Sequence, residues 1–325
     1  MEALAAADTK PVASPLWRGT IAIVLIGLIL QWLVRDHTAD LPAIAPWDFF
    51  WSEYLAIALA GLWYARGVNS LAAGHRPALW RQIFFWIGIA LIYAVLLTRF
   101  EYMAQHMFFL NRLQHMVMHH LAPFLIALAW PGEAILQGMP ASLRQMLRAA
   151  WLRHAMRVLQ HPIVAGLLFV GLINLWLIPA VHFRAMLNTT LYELMNWSMV
   201  ADGLLFWCLV LDPRNRPAAR ISFGIRMLVV ILVMFPQILS GSWLAFSTRK
   251  IYPYYDLCGR LYPSIGALSD QHYGGLIVWI PSAMMSSLAF MLILNHLRIE
   301  DERMAALGPP AGTGPLISSS AWTGR

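Results

Sequence analysis

Eight apolar stretches, each close to the length that crosses a lipid bilayer, constrain this chain more than any other feature. They centre on residues 21–34, 49–63, 84–97, 107–130, 163–178, 191–210, 227–246 and 275–294. A helix needs about 20 apolar residues to span the hydrocarbon. Backbone polar groups there must be satisfied internally, which favours helices. The expected fold is an all-α, polytopic transmembrane helical bundle of about eight spans: a seven-span core plus an N-terminal span. Only 12% of the 325 residues are charged and 59% are hydrophobic, against about 25% charged in soluble domains. The first stretch could pass for a signal peptide. However, Ala43-Ile44-Ala45 lies well past the apolar run and precedes Pro46, so an uncleaved span is expected.

The net charge of +7 sits in short basic clusters between apolar runs. This argues for orientation in a bilayer rather than for a nucleic-acid partner. Alternate connecting segments hold 16 and 7 of the 23 Lys and Arg residues. Positive charge stays on the cytoplasmic side, so both termini are expected there, in a multi-pass protein of the cell (inner) membrane. Residues 1–18 read as a cytoplasmic tail, 19–303 as the bundle and 304–325, rich in Gly, Pro, Ser and Ala, as a disordered cytoplasmic tail. Residues 144–157 read as an amphipathic interfacial helix whose arginines meet anionic lipid. Cys208 and Cys258 are too few for a disulfide scaffold or a Cys-based zinc site. They fall near opposite faces, so they are not expected to pair.

The run Gln114-His115-Met116-Val117-Met118-His119-His120 leads into the fourth span. Three imidazoles and two thioethers are costly beside lipid unless something uses them. They are also the ligands that soft or borderline metals such as copper prefer. At α-helical spacing Asn111, His115, Met118, His119 and Ala122 share a stripe, with His115 and His119 able to address one ion. Met116 and His120 then point elsewhere. Further polar or soft groups are expected at the same outer face: His106, His182, Met186, Met195, Asn196, Met199 and Asp270-Gln271-His272. The candidate metal set is His115, His119, Met118, His182, Met195, Asp270 and His272.

Simpler roles compete with each of these. A His pair four residues apart is often a hydrogen-bonded packing feature, and His120 alone reads as structural. His37 and His75 read as solvated loop residues; His154, His161 and His296 as interfacial or helix-end residues. Most of the 17 Met and 15 Trp are core or interface residues. Asp270 suits a helix cap, a ligand, or an orienter of a histidine.

From Trp47 to Arg303 the chain resembles the CtaG family of integral membrane cytochrome c oxidase assembly factors. Four places carry the resemblance: Tyr64-Ala65-Arg66-Gly67-Val68; His115 to His119 with Ala122-Pro123; Phe206-Trp207 with Asp212-Pro213; and Asp270-Gln271 with Gly274-Gly275, Trp279 and Pro281. The resemblance implies a role in building the respiratory oxidase, with its subunits as partners and copper, as Cu(I), handled or delivered. His115, His119, Asp270 and Gln271 are the residues it carries over. The chain departs from the family pattern at Trp176-Leu177-Ile178-Pro179, Tyr192 and Met195-Asn196, where three histidines are expected. Either His182, Met195, Met199 or His272 rebuilds the site, or the site is lost and a structural assembly factor remains.

No nucleophile–base pair is evident, so no enzymatic activity is expected. A haem-binding redox protein needs axial histidines on facing helices. His106 and His120 lack a matching in-membrane pair on a second helix. A copper or small-solute permease should place polar groups near mid-membrane, whereas Asn174, Asp202 and Pro236 are scattered.

Overall fold

The computed structural model describes residues 16–215, 218–257 and 259–307. The expectations for residues before Pro15, for Arg216, for Cys258 and for 308–325 lie outside the described residues. The described chain is helical; an isolated bridge between Pro46 and Thr98 is its only β pairing.

Helix α1 (Leu16–His37) lies against α2 (Trp51–Ser70). Tyr54 donates its hydroxyl to the Ile23 carbonyl at 2.8 Å. Apart from Gly27, α1 buries little, which leaves its Ile and Leu side chains for lipid. Helix α3 (Leu79–Leu96) is followed by the short α4 (Arg99–His106), which Thr98 caps through the amide of Phe100.

Next comes the central helix, in three pieces: α5 (Phe108–Met116), a π-helical turn (Val117–Leu121) and α6 (Ala122–Ala129). Trp130 ends it in the left-handed region, with φ 50°. The chain then bends by 79° into α7 (Gly132–Gly138). Helix α8 (Ala141–Met146) and α9 (Ala150–Leu159) follow, with Met146 and Trp151 exposed. A 70° bend leads to α10 (Pro162–Leu177), and then come α11 (Pro179–Leu187) and α12 (Thr189–Val210).

Helix α13 (Phe223–Phe246) and α15 (Ala267–Leu307) form the most extensive helix pair, with α14 (Tyr254–Leu257) between them. Their backbones touch at Gly241 and Gly275. A Cβ on Gly241 would sit 2.7 Å from the Trp279 backbone nitrogen, so Gly274-Gly275 acts by permitting close approach. In the α12–α13 turn the buried Arg226 guanidinium donates to the carbonyls of Ile221, Asp212 and Arg214, while Asp212 bonds Arg214.

This is a helical membrane protein. Four helices are long and apolar enough to cross a bilayer, and six if each bent pair forms one span. Helices α2 and α12, of 20 and 22 residues, are long enough but more polar, carrying Glu53 and Arg66, and Glu193 and Asp202. The described helices run from Leu16 to Leu307.

Candidate functional site

The π turn determines where the histidines point. Proline 123 has no N–H, so the carbonyl of His119, four residues back, loses its α-helical donor. The indole Nε1 of Trp207 donates to that carbonyl instead, at 3.1 Å. Gly203 on the same helix makes room, since a Cβ there would run into the His119 carbonyl oxygen. The amide of Ala122 reaches back five residues to Val117, the π pattern.

A π turn brings residues five apart closer to alignment than an α-helix does. His115, Met116 and His120 therefore line one cavity, together with Arg112, Met199 and Ser282. Met116 and His120, expected to point elsewhere, thus share the cavity wall with His115. The cavity encloses about 20 Å³, room for one water or a monatomic ion.

His119 and His120 are occupied by each other and by their neighbours. His119 Nε2 lies 3.0 Å from Asp202 Oδ2, its Nδ1 lies 3.3 Å from His120 Nδ1, and its ring stacks on Phe169. His120 Nε2 lies 2.8 Å from Gln237 Oε1. Gln237 donates its amide to the Val233 carbonyl, so its oxygen faces His120 and receives Nε2–H. A neutral His120 then accepts at Nδ1, and His119 donates there. With that tautomer, the 3.0 Å contact between His119 Nε2 and Asp202 Oδ2 requires a proton on one of the two atoms. In contrast, His115 is 5% exposed and neither ring nitrogen has a partner. A buried imidazole with both nitrogens unmatched is costly.

The remaining expected residues have other surroundings. Met118 and Met195 are fully buried in the main hydrophobic cluster. His182 Nε2 meets the Tyr255 hydroxyl at 2.9 Å, and the ring packs edge-on to Phe108. His106 bonds the Tyr102 carbonyl. Asp270 accepts the amides of Phe108 at 3.0 Å and Phe109 at 2.8 Å, and pairs with Arg260 at 2.5 Å. It thus caps α5 from a distant helix. Gln271 accepts the Ile251 amide and donates to the Arg249 carbonyl, and His272 bonds the Ser247 carbonyl. The Asp-Gln-His triplet fastens the α13–α15 connection and the start of the central helix. Among the described residues no group of three or more His, Cys, Asp or Glu side chains could hold a metal ion. Cys208 is a free thiol.

Sequence reasoning missed three participants. Arg112 is buried at 2% exposure, with its guanidinium over the Phe108 ring and bonded to Asn111. Its signal was available: it lies three residues before His115 and one turn before Met116. Asp202 and Gln237 could not be assigned to the histidines, because nothing local joins helices 83 and 117 residues away.

These features define a helical membrane protein with a buried His–Met pocket beside a hydrogen-bonded His–His–Asp row. The chain belongs to the cytochrome c oxidase caa3 assembly factor family (Caa3_CtaG), whose family model matches residues 62–298. Comparison with curated proteins and with solved structures gave no match.

Proposed function

We propose that this protein helps assemble a haem-copper cytochrome c oxidase by handling Cu(I) at the His115 cavity. The observation that carries this reading is the unpartnered imidazole of His115, which shares a water-sized cavity with Met116 and Met199. Imidazole and thioether are ligands that soft Cu(I) accepts. The thioethers need no deprotonation, and the cavity would admit one ion. Arg112 in the same wall would oppose a cation and keep retention weak, which suits a carrier that must release its cargo. Of the other expected ligands, His119 would act through the row to Asp202, Asp270 and His272 by fastening the surrounding helix ends, and Met118, Met195 and His182 by packing the walls.

In this reading the chain crosses the cell inner membrane eight times, α2 and α12 included, with both termini cytoplasmic and the His115 end of the central helix outside. The Lys and Arg asymmetry supports that orientation. Oxidase subunits and membrane lipid are the partners, nucleic acid is not, and no bond is broken by the protein itself.

The test is gene deletion followed by oxidase activity and oxidase copper content, complemented with wild type, His115→Ala or Met199→Leu. Loss in the deletion, rescue by wild type and failure of His115→Ala are expected. Normal oxidase in the deletion defeats the assembly role. Full rescue by His115→Ala removes copper from the cavity but leaves the assembly role standing.

A further inference from the structure

A second cavity, walled by α2, α3, α6, α7 and α12, lies apart from the histidines. It encloses about 180 Å³ and is lined by apolar side chains except for Glu53 and Asn196. Glu53 and Asn196 are each 1% exposed. The Asn196 amide donates to Glu53 Oε1 at 3.4 Å. Glu53 Oε2 and Asn196 Oδ1 are left without a partner. Glu101 is fully buried and has neither carboxylate oxygen paired. Among the described residues no Lys, Arg or His forms an ion pair with Glu53 or Glu101. Buried acceptors in an apolar wall need donors, and buried carboxylates need a proton or a counter-charge.

The shape of the cavity narrows the choice of donor. Glu53, Ala56, Ile57 and Ala60 line it along α2, a rise of about 10 Å. A volume of about 180 Å³ has room for a short hydrocarbon chain laid along that length. Ala56 is exposed, so the shaft opens on the flank of the bundle. A metal ion would leave most of this apolar volume unfilled. A bare hydrocarbon would leave the acceptors unmatched.

We propose that the shaft binds a single-chain amphiphile whose head group donates hydrogen bonds, with an alkylammonium preferred over an alcohol. The chain lies along α2 from Glu53 to Ala60. The head bonds Glu53 Oε2 and Asn196 Oδ1 and supplies charge opposite Glu53. This inference does not depend on copper or on the oxidase.

The test is saturation-transfer NMR on the full chain in nanodiscs with n-octylamine, n-octanol and n-octane. Ala60→Leu, which blocks the shaft, provides the background of partition into lipid; Val200→Phe replaces it if Ala60→Leu folds poorly. Above that background octylamine should bind saturably, octanol several-fold more weakly and octane at least tenfold more weakly. Glu53→Leu should remove the advantage of the amine and spare apolar binding. Equal binding of octane, unchanged preference in Glu53→Leu, or no signal above the blocked variant would overturn the proposal.

Discussion

Trp207 donates its indole N–H to the carbonyl oxygen of His119 across 3.1 Å, replacing the donor that Pro123 cannot supply. Two motifs more than 80 residues apart, His119 with Pro123 and Phe206-Trp207, are therefore one structural unit. Trp207→Phe keeps the ring but leaves a buried carbonyl unpaired, a loss of about 1–3 kcal/mol. Chemical denaturation in mild detergent should show a lower midpoint than wild type. An unchanged midpoint would mean that another donor reaches the carbonyl. Pro123→Ala should let the turn relax toward regular α-helix, and a structure of that variant should show His120 leaving the cavity.

The three histidines of the run should separate experimentally. His115 has no protein partner and lines the cavity, so His115→Ala should abolish Cu(I) binding measured by competition with a chromogenic chelator, with little loss of stability. His119 is tied to Asp202, and both side chains are at most 5% exposed. Asp202→Ala should therefore lower stability by about 1–3 kcal/mol while the purified, folded fraction still binds copper. The opposite pattern would place the ion on His119.

Asp270 caps the central helix through two amides and pairs with Arg260. Asp270→Ala exposes those amides to an apolar setting and should cost about 1–3 kcal/mol. Hydrogen exchange of the Phe108 and Phe109 amides should accelerate. A variant that loses copper with unchanged exchange would instead identify Asp270 as a ligand.

The α13–α15 connection should loosen in acid. Lys250, hydrogen-bonded to Asp256, and Arg260 beside it hold that carboxyl below its ordinary value of 3.8. A lowered folded-state pKa gives stabilisation that is present above the unfolded value and lost as pH falls through the folded one. The contribution should be flat from neutral pH down to the ordinary value and decline below it. The pair is partly exposed, so the effect is small and screened by salt. Limited proteolysis of the loop across pH should show this decline, and Lys250→Ala should make it smaller by bringing the folded-state value closer to the ordinary one.

Much of this protein was legible in its sequence, because bilayer crossing depends on residue type and run length alone. The apolar stretches and the end of the central helix near Trp130 follow from composition and spacing, whereas the single helix expected over 144–157 is broken into α8 and α9. Asp270 read from sequence as a cap among other roles, and capping is what its contacts show, although the helix it caps begins 162 residues earlier. The site itself was less legible. Spacing at 3.6 residues per turn sent His120 away from His115, whereas the two line one cavity across the π turn.

The sequence alone determined that the chain is a helical membrane protein of its family, since hydrophobic transfer and motif chemistry are local properties. Only the tertiary structure decided which histidine is free, because that depends on what distant helices bring. Asp202 and Gln237 arrive from α12 and α13 to occupy His119 and His120, and nothing arrives for His115. A ring's hydrogen-bonding state is fixed by the partners within about 3 Å of it, and local spacing does not encode those partners.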